Sequence, residues 1–279
     1  LLGGADRFWG GAFNPIYWGI VGSLFVSYLV IRIFILVKFS RWAELFLASV
    51  CLVFGFTVII SAGSKGPIVA LIFTVLIIPF LISKNKLRAF LVSVISSFIL
   101  VSALLAFVKY SPDSGLSKRI DSAVTDTSSY FNGNVQNTSS GLRLQMWSIA
   151  LQAFLSSPIV GVGSEGLLEI KRQAVIDGGA NTSITNYSHQ HNDIFNELTH
   201  NGLVGAIALV FLYVTYGFVF IKQRQKRPLS EFPVLGLVTV VLIIGCGFTD
   251  TILVSARGIM LFFMTMTFFF TVSTGAEDF

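Results

Sequence analysis

The sequence predicts an all-α protein: a polytopic bundle of about seven membrane-spanning helices with a helical cap outside the membrane. Three observations predict this class. Of the 279 residues, 54% are hydrophobic and only 12% are charged, whereas a soluble domain carries about 25% charged residues. Seven stretches have the apolar composition of membrane-crossing helices. A polar segment with helical periodicity separates the fourth stretch from the fifth.

The same composition limits the class of function. It excludes a soluble enzyme, a disordered chain and a nucleic-acid-binding domain, although the net charge is +5. In so apolar a chain we interpret the excess of Lys and Arg as belonging to short cytoplasmic loops and as suited to an anionic lipid substrate. Cys51 and Cys246 lie inside apolar runs, so the sequence predicts neither a disulfide framework nor a cysteine metal site.

A membrane-crossing helix needs about 20 mostly apolar residues. The seven stretches are Ile16–Val37, Leu45–Ala62, Pro67–Ser83, Ala89–Val108, Gly202–Ile221, Pro233–Phe248 and Ile259–Ser273. The last two are short for a membrane span. We predict one integrated domain in three parts: four spans in residues 1–108, an external cap in 109–201 and three spans in 202–279.

Basic residues in the short connectors set the orientation, because cytoplasmic loops carry an excess of Lys and Arg. The first, third and fifth connectors are rich in them, with Lys38 and Arg41; Lys84, Lys86 and Arg88; and Lys222, Arg224, Lys226 and Arg227. These connectors and the C-terminal GAEDF are therefore predicted to be cytoplasmic, and the N-terminus external. Because the chain begins without Met, we expect an N-terminally truncated protein. An odd number of earlier spans would return the true N-terminus to the cytoplasm.

The external segment has a helical pattern of its own. Apolar residues recur at helical spacing from Ser139 to Ser156, and Pro158 ends that helix. Ser164 is predicted to cap a second helix through LLEIKRQAVI. The stretches SSYFNGNVQNTSS (128–140) and GGANTSITNYS are predicted loops. Loops longer than about 12–15 residues are usually functional or disordered, and the periodicity argues against disorder.

His191 is the candidate for acid–base chemistry. It lies outside the membrane, eleven residues before Gly202, where the fifth span begins. Neutral imidazole accepts a proton near pH 7, although a surface or helix-capping histidine would look the same in sequence. His189 and His191 resemble a metal-binding pair, but the spacing offers no third ligand, so we predict no metal and no cofactor.

Several basic residues are candidates for binding an anion. Arg143 precedes Trp147 by one turn of the cap helix, and guanidinium binds phosphate oxygens in a bidentate manner; a solvated or headgroup-contacting arginine is the alternative. The adjacent pairs Lys118-Arg119 and Lys171-Arg172 are interpreted as solvated faces of the cap.

Lys65 is the single charge in the reversal SAGSKG. With Ser64 and the exposed amides of the glycines it could form an anion site, or it could be a lysine that snorkels to the interface. Arg257, in the opposite external turn, has the same two interpretations. Asp250, at the outer end of the sixth span, could pair with Arg257 or shape the site.

Four segments, in the right order along the chain, resemble the O-antigen ligase and polymerase superfamily. HNDIFNELTHNGLVG resembles its signature of His-Asn, nine residues and Gly. The next small or hydroxyl position of the signature falls at Ala206, with Gly205 beside it, which is a mild departure. Residues 141–163 resemble its Arg-x-x-x-Trp…Pro-x-x-Gly-x-Gly segment. SAGSKG resembles its Ser-Arg-Gly turn, with Lys65 in place of arginine, and NPIYW (14–18) resembles the opening of an earlier span. Together these segments are distributed over residues 14–205, in the right order.

The resemblance implies the C-terminal part of a metal-independent, inverting glycosyltransferase of the bacterial inner membrane, with its site facing the periplasm. It implies undecaprenyl-diphosphate-linked glycan as the donor and lipid A–core or another glycan as the acceptor. The protein would also contact membrane lipid, and it would bind no nucleic acid. The implied catalytic base is His191. Substrate-binding roles are implied for the residues Arg143, Lys65, Asn192, His189 and Arg257.

Alternatives remain open at this stage. Ligase, polysaccharide polymerase and protein O-glycosyltransferase share these motifs. A membrane transporter is the competing class, which predicts charged or broken helices near the bilayer midplane. The predicted spans contain almost no such charges, because the charges lie mostly outside them.

Overall fold

The computed structural model describes residues 15–38, 40–83, 85–113, 115–133, 137–228 and 230–275. Over this part of the chain the structure has ten α-helices and no β-strand, which confirms the predicted all-α class. Asn14 of the NPIYW segment, Lys84 and the C-terminal residues 276–279 lie outside the described residues.

Seven apolar helices correspond to the seven predicted spans. They are α1 (Pro15–Lys38), α2 (Trp42–Ala62), α3 (Lys65–Ile82), α4 (Lys86–Tyr110), α8 (Asp193–Lys226), α9 (Phe232–Gly247) and α10 (Ala256–Gly275). Five of them are long and apolar enough to cross a membrane, whereas the apolar parts of α3 and α9 are shorter. The last span is therefore longer than the sequence indicates, because α10 has 20 residues.

The chain divides into two compact units. One contains residues up to Tyr110, residues 214–246 and residues from Ser255 onward; the other contains residues 111–213 and 247–254. The first unit holds α1–α4, residues 214–226 of α8, nearly all of α9, and α10. The second holds the remaining helices α5 (Gly115–Phe131), α6 (Ser139–Ser156) and α7 (Gly163–Ile176), with a 3₁₀ helix at Thr182–Asn186 and the start of α8.

Small residues allow close helix packing in the first unit. A Cβ atom added at Gly55 of α2 would lie 2.7 Å from a methyl group of Val26 in α1, so a larger residue would separate the two helices. The outer faces are strongly apolar: Phe46 and Phe98 are 73% and 72% exposed. Such exposed apolar surface is stable in lipid, which supports a multi-pass membrane protein.

In the second unit, α6 begins and ends where the sequence predicts. Its apolar face packs into a core with α7 and the 3₁₀ helix, formed by Leu142, Met146, Ile149, Leu167, Ala180 and Ile184. Helix α7 begins at Gly163 with Val162 at the cap position, so the predicted Ser164 cap is wrong: Ser164 is already inside the helix.

Helix α5 is the main element that the sequence analysis missed. It extends to Phe131 and so includes residues 128–131 of the predicted loop. Its many Ser, Thr and Asp residues indicate a loop locally, but Ile120, Ala123 and Thr127 recur at helical spacing and are at least half-buried. Packing against α6 stabilises a helix that local propensity disfavours.

A kink at Gly202 separates the first two turns of α8 from its long apolar part. Gly202 has φ 61° and ψ −150°, a conformation that essentially only glycine adopts. The loop after α6 binds at this point: the N–H of Val162 donates to Thr199 O at 2.8 Å, and the N–H of Leu203 donates to Pro158 O at 2.8 Å. The kink is therefore held by main-chain hydrogen bonds.

Replacing Gly202 by alanine is expected to destabilise the protein. The added Cβ would lie 2.4 Å from the backbone of Ile159, and the backbone strain alone costs about 1–3 kcal/mol. Thermal unfolding in detergent measures the effect. Gly217→Ala is the control, because a Cβ there meets no atom within 4 Å and alanine favours helix. Equal stability of the two variants would contradict this account of the kink.

Candidate active site

His191 lies two residues before the start of α8 and has a strained backbone. Its φ is 50°, in the left-handed region, which costs a non-glycine residue about 1–2 kcal/mol. The next residue, Asn192, is the N-cap of α8, because its Oδ1 accepts a hydrogen bond from the N–H of Phe195 at 3.0 Å. The cap fixes the position at which the helix begins. As a result, the imidazole of His191 is held at a defined point beside the helix start.

Two consecutive side chains attach the segment 247–254 to this helix start. Asn192 Nδ2 donates to Phe248 O at 3.1 Å, and Asp193 Oδ1 accepts from the N–H of Ile252 at 2.9 Å. Both side chains are buried, so both hydrogen bonds are shielded from water. Asp250 lies between the two attachment points and is thereby brought to His191.

Asp250 and His191 form the central pair of the site. His191 Nδ1 lies 3.0 Å from Asp250 Oδ1. Burial by itself raises the pKa of the Asp250 carboxyl, but the hydrogen bond and charge of His191, the N–H of Thr251 and the charge of Arg143 together lower it below its ordinary value. An ionised carboxylate only accepts hydrogen bonds. Nδ1 therefore carries the proton, and the Nε2 lone pair is available as a base.

A second imidazole and a tyrosine ring complete the cluster. The ring centroids of His189 and His191 are 4.4 Å apart, and the Tyr187 ring meets both imidazoles edge-on at 6.3 and 5.2 Å. Burial, followed by the charges of His191, Lys171 and Arg143, lowers the pKa of His189 to about 4 against the opposing charge of Asp250. His189 is therefore neutral near pH 7 and can donate or accept a hydrogen bond.

The cluster also supplies the third metal-ligating group that the sequence analysis did not find. Ligand atoms of His189, His191 and Asp250 all lie within 4.8 Å of one another. The sequence spacing could not indicate this group, because Asp250 is 59 positions from His191. Two cations, Arg143 and Lys171, act electrostatically on the same cluster, and like charge disfavours a bound metal cation.

Helix α6 contributes Trp147 and Arg143. Trp147 Nε1 donates to the main-chain oxygen of Gln190 at 2.9 Å, and its ring stacks on Phe195 with centroids 5.9 Å apart. The tryptophan thus holds the residue between the two histidines. Arg143 lies one turn earlier on α6 and is half-buried. Its charge acts on both Asp250 and His189, which places it in the electrostatic surroundings of the site.

Lys171 is buried, so the prediction that it lies on a solvated face is wrong. Its exposed fraction is 1%, and Nζ donates to Tyr187 O at 2.8 Å. Arg172, the other member of the pair, has 60% of its side chain exposed. The pattern contained a signal for this difference: Lys171 follows the buried Leu167 by four residues and therefore lies on the same face of α7.

The structure brings four of the six predicted site residues into one unit: His191, Asn192, His189 and Arg143. Asp250 joins them through its hydrogen bond with His191. Lys65 and Arg257 belong to the other unit, where Lys65 is the first residue of α3 and Arg257 the second of α10. Their part in binding stays a prediction.

A family model and one named relative indicate the same family. A family model described as O-Antigen ligase matches residues 49–210. An uncharacterised protein of Haemophilus influenzae is 32% identical over 225 residues, covering 77% of this chain and 56% of that protein. An O-antigen ligase of Escherichia coli is 30% identical over 161 residues, covering 57% of this chain and 36% of the ligase. The chain thus spans only part of the length of both relatives.

Proposed function

Since the chain belongs to the O-antigen ligase family, we propose that it is a glycosyltransferase of the bacterial inner membrane. It moves a glycan from undecaprenyl diphosphate to a sugar of lipid A–core, on the periplasmic side. The observation that carries the proposal is the hydrogen-bonded pair of His191 and Asp250 within the field of Arg143. His191 would supply a base for the acceptor, and Arg143 a cation for the donor.

His191 acts as the general base. The bond between the anomeric carbon and the diphosphate oxygen breaks as the acceptor hydroxyl attacks that carbon from the opposite face, which inverts the configuration. The acceptor proton moves to Nε2 of His191, and Asp250 stabilises the imidazolium that forms. General-base catalysis of this kind contributes about 10²–10⁴ in rate. The transferred proton then leaves to solvent, which restores the neutral imidazole.

The donor requires cations, because the leaving group is a diphosphate. Arg143 and Lys65 bind its oxygens and stabilise the charge that develops as the glycosidic bond breaks. Arg257 contributes a further positive charge, and neutral His189 offers a hydrogen bond to a phosphate or sugar oxygen. Asn192 acts through its two hydrogen bonds, which position His191. The reaction needs no metal in this mechanism, so transfer should persist in EDTA.

Replacing Lys65 by alanine is expected to weaken donor binding by about 10–100-fold, the value of a hydrogen bond to a charged group. The measurement is the dissociation constant for undecaprenyl-diphosphate-linked glycan in detergent. Lys86→Ala is the matched control, because Lys86 begins α4 at a connector predicted to be cytoplasmic. Unchanged donor affinity in the Lys65 variant would assign that lysine a structural role.

The direct test is transfer by the full-length purified protein supplied with lipid-linked glycan and lipid A–core. We expect glycosylated lipid A–core as the product. Movement of labelled donor across the membrane of liposomes, with no glycosidic bond formed, would instead support the transporter class.

The acceptor is tested by deleting the gene: loss of all long chains from the core supports a ligase, and a single-repeat product supports a polymerase. Loss of glycan from protein alone supports a protein O-glycosyltransferase.

A further inference from the structure

Lys171 is a buried cation that the proposed mechanism does not use. It lies in α7 at 1% exposure, beside the apolar core residues of that helix. Burial lowers the pKa of its ammonium group to about 8, still above neutral pH, so the group is charged there. A charge in such surroundings carries a desolvation penalty that an apolar residue of the same length would avoid. Folding alone therefore does not account for a lysine here.

Its hydrogen bond leads directly to the two imidazoles. Lys171 Nζ donates to the main-chain oxygen of Tyr187 at 2.8 Å, and the Tyr187 ring contacts both His189 and His191 edge-on. Gln190, between the histidines, accepts a second hydrogen bond through its main-chain oxygen, from Trp147 Nε1. The loop of residues 187–191 is thus held at two main-chain oxygens, one by a helix α7 cation and one by a helix α6 indole.

We propose that Lys171 is a positioning residue for glycan transfer, holding the loop of residues 187–191 so that its two imidazoles keep their arrangement beside Asp250. The inference rests on the proposed function for its effect on turnover. Its effect on the loop is independent of that function. A charged donor suits the task because hydrogen bonds from charged groups are about twice as strong as neutral ones.

Lys171→Met tests the proposal, because methionine is apolar and of similar length. We expect turnover to fall by about 10²-fold, the loss that a displacement of about 1 Å can cause, while KM for the donor changes little. The melting temperature should not fall, since the desolvation penalty disappears with the charge. Arg172→Met is the matched control: its side chain is exposed, and its turnover should equal that of the unaltered protein.

The sequence contains three histidines, which makes imidazole NMR a direct readout of the loop at one neutral pH. In Lys171→Met the resonances of His189 and His191 should shift. Those of His200, which is bonded to Asn196 O in α8, should stay in place. Arg172→Met should shift none of them. Lys171→Gln, which retains an N–H donor, provides a second variant if the methionine protein does not fold, and should shift the same two resonances less.

Unshifted His189 and His191 resonances together with full turnover would overturn the proposal. The proposal would also be overturned if the Lys171→Met protein lost melting temperature in proportion to its lost turnover while the His189 and His191 resonances of its folded fraction stayed unshifted. Lys171 would then have a purely structural role. If the unaltered protein transfers no glycan, the proposed function fails. The NMR comparison still decides whether Lys171 holds the histidine loop.

Discussion

His191→Ala should lower glycan transfer by about 10²–10⁴-fold, the contribution of a general base, while the protein still inserts in the membrane and binds donor lipid. The physical reason is the loss of the Nε2 lone pair, which Asp250 keeps available by accepting a hydrogen bond from the Nδ1–H group. Single-turnover transfer with saturating donor and acceptor measures the chemical step. Donor binding, measured separately, should remain within a few-fold.

A second variant separates chemistry from backbone strain. His191 adopts φ 50°, which asparagine tolerates better than alanine does. His191→Asn therefore keeps the backbone and still lacks the base, and it should lose as much turnover as His191→Ala. His200→Ala is the matched control, because His200 bonds only locally to Asn196 O, according to the contacts of the described chain. Near-normal turnover in either His191 variant would remove the base assignment.

Asp250→Asn should be the second most damaging change, with a loss of about 10²–10⁴-fold in turnover by comparison with other carboxylates that orient a catalytic imidazole. The amide is neutral, so it does not stabilise the imidazolium. It can also present its NH₂ group to Nδ1, which would place the imidazole proton on Nε2 and block the base. Because shape is conserved, donor affinity and melting temperature should change little.

Asp126→Asn is the control for Asp250→Asn. Asp126 lies in α5 of the same unit, and the two carboxylates are equally buried, with 8% exposure each. Loss of turnover in both variants, with a common fall in melting temperature, would indicate that any buried carboxylate of this unit is needed for folding. Loss in the Asp250 variant alone supports its role beside His191.

Much of the helical framework follows from local sequence. Apolar runs of span length have one stable conformation in lipid, because a helix satisfies every main-chain polar group internally. The periodicity of residues 139–156 likewise predicts α6 to the residue. Where polar composition and helical spacing conflict, as in α5, the local signal is insufficient, because packing against α6 decides the outcome.

The candidate base was also visible in the sequence, since His191 and Asn192 stand at a fixed distance before an apolar span. Its partner was not. Asp250 is 59 residues away and reaches His191 because Asn192 and Asp193 hold the segment 247–254 by hydrogen bonds. Burial of Lys171 depends in the same way on its neighbours in the folded chain. The sequence determined most of the helices and the position of the candidate base. Tertiary structure alone decided which charges surround it, because such pairs form between residues that only folding brings together.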